Sequence, residues 1–187
     1  MHKYLIGLVA LFSPFVLVNA ADDICFSSAS SIPMKATTPT GQFNDLKIDQ
    51  NALVVTDKKT GLMWMRCTRG FEWNEVTLSC ENNIANEVTV NWARALQIAS
   101  EDSTTTGGYT DWRLPNVKEL ASIVERKCFG PAVNNDVFPG TVPGAYWTNT
   151  HVLSSDSAVR VVNFNRGGVT TSSASSLLYL RMVRDVN

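Results

Sequence analysis

Short apolar runs separated by turn residues dominate the middle of the chain. Residues 53–56 and 62–65 are β-prone, and the segment between them, residues 57–61, reads Asp-Lys-Lys-Thr-Gly, which is typical of a turn. Two β-prone runs joined in this way predict a β-hairpin. Residues 68–79 are polar, and we expect them to form a surface loop.

After Cys128 the apolar positions alternate, which is the period of a half-buried strand. Residues 146–148 predict one strand and residues 177–183 the last one. Between them, residues 158–164 and 169–172 flank a turn at residues 165–168 and predict a second hairpin.

Two segments have helical spacing instead. Asn91 is a suitable N-cap for the first. Its apolar positions, three and four residues apart, are Trp92, Ala95, Leu96 and Ala99. Asn116 begins the second, and Glu119 three positions later completes a capping-box pattern. Its apolar stripe consists of Val117, Leu120, Ala121 and Val124.

This order of strands, two helices and further strands predicts an α+β domain whose helices pack on a mainly antiparallel sheet. Of the 187 residues, 44% are hydrophobic and 18% are charged, a composition typical of a globular domain rather than a disordered chain. The formal net charge is -1, so the chain lacks the strongly basic balance of a nucleic-acid-binding domain.

The N-terminal segment has the pattern of a cleaved export signal. Lys3 gives it a positive start, residues 4–18 are almost wholly apolar, and small residues follow. The apolar run is shorter than the roughly 20 residues of a membrane-spanning helix. We expect residues 1–20 to be a signal peptide, residues 21–51 an extended Ser/Thr/Pro-rich arm and residues 52–187 the folded domain. The protein would then be periplasmic, secreted or on the bacterial cell surface.

Four cysteines in an exported chain indicate two disulfides, which can pair in three ways. Cys67 and Cys80 flank the polar segment, which a hairpin could close, so a Cys67–Cys80 bond is favoured. A Cys25–Cys128 bond then remains, and it would join the arm to the domain. A zinc site is not expected, because there is no C-x-x-C pair and His151 is the only histidine after the signal segment.

Five sequence blocks occur in an order that resembles one bacterial domain family. The blocks are DKKTGLMW at 57–64, GYTDWRLPNVKEL at 108–120, VFP at 137–139, YWT at 146–148 and RMVR at 181–184. Together they resemble the C-terminal domain family of the collagen-like adhesin Lcl, over residues 38–184. The main motif positions are Asp57, Gly61, Trp64, Asp111, Trp112, Arg113, Pro115, Glu119 and Trp147.

The resemblance has consequences for fold and function. It implies a fold related to C-type lectins and to the formylglycine-generating enzyme. It also implies export or surface display and, for the adhesin itself, glycosaminoglycan binding as a homotrimer.

The tryptophans divide into two groups. Trp64, Trp92, Trp112 and Trp147 lie in motif blocks or in the apolar phase of predicted elements, so we expect them in the core. Trp73 lies in the polar segment between two cysteines, and we expect it to be exposed. Because an aromatic face stacks well on a pyranose ring, Trp73 is a candidate ligand-binding residue.

Charged residues supply the remaining candidates. Arg113 and Glu119 are expected to be structural, with carboxylate or backbone partners for Arg113 and a helix-capping role for Glu119. Arg160 and Arg166 on the second hairpin are candidate ligand-binding residues. The same local basic patch could include Lys118, Arg126 and Lys127.

Metal and catalytic chemistry have weak sequence support. Asp111, with Asn134, Asn135 and Asp136, offers oxygen ligands for calcium, but the Glu-Pro-Asn and Gln-Pro-Asp signatures of calcium-dependent lectins are absent. His151 is a candidate base, yet no serine lies in a nucleophile-elbow pattern. We expect no catalytic residue, no metal and no cofactor, with calcium as the alternative.

These patterns favour a secreted or surface-associated, non-catalytic adhesion module that binds a carbohydrate or a surface protein. Its contacts would come from the loops at residues 68–79, 101–106 and 151–157. One alternative is an oxidoreductase of the formylglycine-generating type, which needs two free, neighbouring thiols. Another is a structural subunit of a pilus or secretion assembly, joined through Cys25 and the arm.

Overall fold

The computed structural model describes Cys25 and residues 34–43, 53–83, 87–101, 106–155 and 157–186. The strands are β1 (Val54–Asp57), β2 (Leu62–Met65), β3 (Phe71–Asn74), β4 (Ser79–Asn82), β5 (Ala145–His151), β6 (Ala158–Asn163), β7 (Gly168–Ser173) and β8 (Val183–Asp185). The helices are α1 (Trp92–Glu101) and α2 (Val117–Ser122), and a 3-10 turn spans Thr40–Gln42. The expected signal peptide at residues 1–20 lies outside the described residues.

The architecture is α+β, but the strands form three small antiparallel sheets instead of one. The strand orders among the described residues are β1-β2-β8, β3-β4 and β5-β6-β7. The expected strand at 177–183 is wrong in its extent. Leu178 forms an isolated β-bridge with Val90, and Tyr179 forms one with Tyr146 in β5. The chain then reaches β8, which pairs with β2. Only the last three residues of this region, Val183–Asp185, form a strand of a sheet.

Both expected hairpins are confirmed. In β1–β2, Val54 lies opposite Met65, and the Gly61 N–H closes the turn by donating to the Asp57 carbonyl at 2.9 Å. In β6–β7, Gly167 has a φ of +70°, and a Cβ there would lie 2.5 Å from Val124 Cγ1. Glycine is therefore required at Gly167 by both backbone conformation and space.

The helices follow the expected caps but differ in detail. Asn91 Oδ1 accepts the Arg94 N–H, and Asn116 with Glu119 forms the complete capping box. In α1 the buried residues are Ala95 and Ile98, whereas Leu96, expected on the same face, is 37% exposed. Helix α2 ends at Ser122, so Val124 lies beyond it, although it is still buried.

The core has two adjoining hydrophobic clusters. One contains Trp64 and Leu120, and the other contains Trp112 and Trp147. All four side chains are almost completely buried, and burial of an apolar side chain of this size stabilises the fold by roughly 1.5–3 kcal/mol. Trp92 is only partly buried, and its indole N–H donates to the Thr148 carbonyl at 2.9 Å.

The described part of the arm packs on the domain. Phe43 belongs to the core and meets Phe138 edge-on at 5.6 Å. The Glu125 carboxylate is buried and accepts backbone N–H donors from Thr37 and Thr38 at 3.0 and 2.7 Å. Burial raises the pKa of Glu125, but these N–H donors and that of Lys127 outweigh it and hold the pKa below its ordinary value.

Both disulfides have the favoured pairing. Cys67–Cys80 closes a short segment with a sequence separation of 13, and Cys25–Cys128 spans 103 residues. The chain-entropy account assigns them about 3 and about 4–5 kcal/mol. Among the described residues, no helix has the length and apolar character needed to cross a membrane. The two disulfides are consistent with an exported or extracellular protein.

Candidate functional site

The most specific sequence block folds into a network of ion pairs, which we call the arginine clasp (Asp111, Arg113, Glu119, Arg184 and Asp185). Arg113 donates to both Glu119 oxygens at 2.8 and 3.0 Å and to Asp185 at 3.0 Å. Arg184, one position before Asp185, donates back to Asp111 at 2.6 and 3.1 Å. The clasp therefore ties the loop before α2 to β8 in both directions.

The clasp residues stabilise each other's charged forms. The hydrogen bond to Asp111 raises the pKa of Arg184, and the same bond lowers the pKa of Asp111. The hydrogen bond to Glu119 raises the pKa of Arg113. Partial burial raises the pKa of Glu119, but donation from Arg113 and from the Asn116 N–H outweighs it and lowers the pKa overall. The structural roles expected for Arg113 and Glu119 are thus both present.

Other motif residues lie in the scaffold around the clasp. Asp57 is buried in β1 and accepts the Lys59 N–H at 2.8 Å. The Pro115 carbonyl accepts the Asn149 N–H, which links the helix entry to β5. The Arg184 guanidinium also lies 4.1 Å from the centre of the Tyr109 ring. The motif block therefore has a structural role, and its Asp111, Arg113 and Glu119 side chains are paired within the protein.

Two further arginines are buried beneath the β3–β4 hairpin, and sequence reasoning missed both. Arg181 is fully buried and donates to the Met65 carbonyl at 3.0 Å and to Thr141 Oγ1 at 2.7 Å. Arg66 is buried and donates to the Val137 carbonyl at 2.8 Å. Burial lowers the pKa of each to about 10, with the Arg181 charge contributing at Arg66.

Arg66 fixes the position of the candidate aromatic residue. Its guanidinium carbon lies 4.5 Å from the centre of the Trp73 ring. The expectation that Trp73 is exposed is confirmed only in part, since the side chain is half-buried. Within the described part of the chain, its indole nitrogen has no hydrogen-bond partner. The polar segment, expected to be a loop, folds into the β3–β4 hairpin, and this packs the ring against Arg66.

A cleft of about 470 Å³ opens where the β3–β4 hairpin meets β2. Its apolar lining includes Leu53, Phe71 and Trp73, and its polar lining includes Arg69 and Glu72. An apolar platform with polar groups at its edge can accommodate a ring that has both hydrophobic faces and hydroxyl groups. The cleft is therefore the candidate site.

The β3–β4 hairpin also carries a polar surface, which shares Glu72 and Trp73 with the cleft. Glu72 and Glu81 lie directly across from each other in the ladder. Asn83 donates to Glu72 at 2.6 Å, and Asn74 donates to Glu81 at 2.9 Å. Donation from Asn74, followed by that from Thr77, lowers the pKa of Glu81. A second depression of about 480 Å³ follows this surface. The hairpin that carries Trp73 thus also carries the carboxylates of Glu72, Glu75 and Glu81.

The other candidate ligand-binding residues lie elsewhere. Arg160 is exposed on β6, and Arg166 is exposed in the β6–β7 turn. Neither lines the cleft beside Trp73. The structure therefore does not bring the three candidate ligand-binding residues into one site.

The groups considered for metal or base chemistry have structural partners. Asn134 is buried, donates to the Thr38 carbonyl at 2.9 Å and accepts the Asp136 N–H at 3.1 Å. Asp111 is held by Arg184. The His151 ring packs against Trp92 at a centroid distance of 6.0 Å. Within the described ranges, no group of three or more His, Cys, Asp or Glu side chains is placed to hold a metal ion.

The family assignment follows from comparison with known proteins. A family model, the Lcl C-terminal domain, matches residues 53–184. No curated protein matches the chain. The matched residues include the first hairpin, both helices, four of the five clasp residues (all but Asp185) and part of β8. The resemblance seen in the motif blocks is confirmed, and the chain belongs to the Lcl C-terminal domain family.

Proposed function

We propose that this protein is a non-catalytic, surface-associated binding module whose cleft takes a carbohydrate ligand. The observation that carries the proposal is Trp73, which Arg66 holds at the wall of a cleft with mixed apolar and polar lining. The family assignment supports an adhesin-like role, because the family is named after the C-terminal domain of Lcl, a collagen-like adhesin. The proposal needs no metal and no cofactor.

The basis for sugar recognition is physical. An indole presents a large apolar surface with low conformational freedom, and here the stacked guanidinium restricts it further. Arg69 and Glu72 lie at the same cleft and can form hydrogen bonds with ring hydroxyls. The carboxylates on the hairpin disfavour a densely anionic ligand. We therefore expect neutral sugars to bind better than sulfated polysaccharides.

The test is a glycan array probed with the wild-type protein, Trp73→Ala and the double variant Arg160→Ala/Arg166→Ala. Loss of the aromatic surface is expected to weaken binding about tenfold, whereas the double variant is expected to bind normally. Absence of saturable binding to any glycan would contradict the carbohydrate assignment. Loss of binding only in the double variant would move the site to the β6–β7 hairpin.

A relation to C-type-lectin-like folds is part of the same proposal. It is supported by two helices, antiparallel hairpins and two disulfides in one α+β domain. Superposition of the domain on solved C-type lectin domains would test it through the order of the strands. A strand order incompatible with that class would leave the binding proposal intact and remove the fold relation.

The two alternative functions gain no support from the cysteines. An enzyme of the formylglycine-generating type needs neighbouring thiols, and a subunit joined through Cys25 needs that thiol free. All four cysteines form disulfides within the chain. Thiol titration of the unreduced protein, with zero free thiols expected, distinguishes these functions from the binding module.

A further inference from the structure

The β3–β4 hairpin is attached to the rest of the fold near its base, where the Arg69 N–H donates to the Leu180 carbonyl at 2.9 Å. Among the described residues, its two strands pair only with each other. Its base is fixed by the Cys67–Cys80 disulfide, and Arg66 holds Trp73 from the other side. Gly140 packs so closely on the Cys80 backbone that a Cβ there would overlap it. The position of Cys80 against the body thus depends on a tight contact and on one covalent bond.

The two disulfides differ in accessibility. Cys67 is partly exposed and lines the cleft, next to the residues that lead into the hairpin. Cys25 and Cys128 are only 8% and 4% exposed, and together they form a small buried cluster. Cys80 is also only 4% exposed, so the difference between the two bonds lies at Cys67. Since thiol–disulfide exchange requires approach of a thiolate to a sulfur atom, Cys67 is the most accessible point of attack.

We propose that the Cys67–Cys80 disulfide is a thiol-sensitive latch that keeps the cleft formed in an oxidising environment. A thiolate of a dithiol reductant attacks the Cys67 sulfur, the Cys67–Cys80 bond breaks, and Cys80 leaves as a thiolate and takes a proton. The second thiol of the reductant then displaces Cys67, which is also protonated. Two electrons and two protons pass to the protein, and the reductant becomes a disulfide.

The structural consequence follows from where the latch lies. Without the bond, β4 keeps its pairing with β3 and the packing at Gly140, but the base of the hairpin has no covalent link to β2 beyond the chain itself. Trp73 is then held by Arg66 and by the ladder without that link, and we expect the wall that it gives the cleft to become mobile. The Cys25–Cys128 bond joins the arm to the far loop and does not contribute to the cleft. This regulation rests on the proposed function, because its biological effect is loss of ligand binding.

The first experiment does not depend on a ligand. The purified, oxidised protein is treated with dithiothreitol without denaturant, quenched with iodoacetamide, and mapped by mass spectrometry. Cys67 and Cys80 are expected to be alkylated about tenfold faster than Cys25 and Cys128, with faster hydrogen exchange confined to the hairpin. Equal alkylation rates for both pairs, or exchange that rises throughout the domain, would overturn the proposal.

The second experiment uses the other disulfide as a matched control. Cys67→Ser/Cys80→Ser is expected to lose at least tenfold in affinity for any glycan found on the array, whereas Cys25→Ser/Cys128→Ser retains it. Unchanged affinity in the first variant would contradict the latch while leaving the carbohydrate proposal standing. If the oxidised wild-type protein binds no glycan, the proposed function fails, and the alkylation and exchange data still decide whether the hairpin opens.

Discussion

The arginine clasp and the β3–β4 hairpin both combine arginines, carboxylates and aromatic rings, yet they use them differently. In the clasp, Arg113 and Arg184 bind carboxylates across two elements, and Trp112 is buried beside them. In the hairpin, the carboxylates receive amide donors from the hairpin itself, and Trp73 lies at a cleft. The most specific motif of the family therefore marks the scaffold, and the candidate binding surface lies in a segment with little motif character.

The same substitution in the two regions gives the largest contrast. Trp112→Ala is expected to cost about 3–5 kcal/mol in the free energy of unfolding, because it leaves a cavity in the core. Trp73→Ala is expected to cost about 1 kcal/mol, since it removes a partly exposed ring and one cation–π contact. Urea unfolding followed by circular dichroism measures both.

A conservative variant of Trp73 controls for general misfolding in this comparison. Trp73→Phe is expected to recover most of the stability and part of the glycan binding. If Trp73→Ala were as destabilising as Trp112→Ala, the hairpin would be a scaffold element like the clasp, and the case for a binding surface there would fail.

The clasp itself can be broken at a single arginine. Arg184→Met removes the paired hydrogen bonds to Asp111 and the contact with the Tyr109 ring, and it is expected to cost about 1–2 kcal/mol. Glu81→Gln in the hairpin is expected to have a smaller effect, because that carboxylate is exposed and its partners lie in the same hairpin. Equal shifts of the urea midpoint in the two variants would show that Arg184 contributes no more to stability than Glu81 does.

Local patterns in the sequence were sufficient for much of this fold. The turn at Gly61, the capping box at Asn116 and the pairing of Cys67 with Cys80 each depend on residues close together in the chain. Arg181 could have been noticed as a charged residue entering an apolar run, but its partners are 40 to 116 positions away, and no local pattern identifies them. Glu125 likewise depends on Thr37 and Thr38.

The candidate site was predictable only in part. Trp73 was distinguished from the other tryptophans by its polar neighbourhood, and it does lie at the cleft. Its burial depends on Arg66, which is held by carbonyls at 136 and 137. Arg160 and Arg166 are candidates through their charge alone, and charge does not determine which elements meet in the fold.

The smallest expected effect is the pH dependence of the clasp. The pKa of Glu119 in the folded protein lies below its ordinary value of 4.5. A carboxyl group with a lowered folded pKa contributes stability that is fully present above the unfolded value and is lost as the pH falls through the folded value. Because Glu119 is partly exposed, solvent screens the effect and it should remain below about 1 kcal/mol.

Glu119→Gln separates this contribution from general acid unfolding. Between about pH 5 and about pH 3, the wild-type free energy of unfolding is expected to fall more steeply than that of Glu119→Gln, as measured by urea unfolding at each pH. Asp185 opposes the lowering through its own negative charge, so Asp185→Asn should increase the stabilising pKa shift at Glu119. Identical slopes for the wild type and Glu119→Gln would mean that solvent alone satisfies Glu119, and the clasp would then resemble the exposed carboxylates of the hairpin.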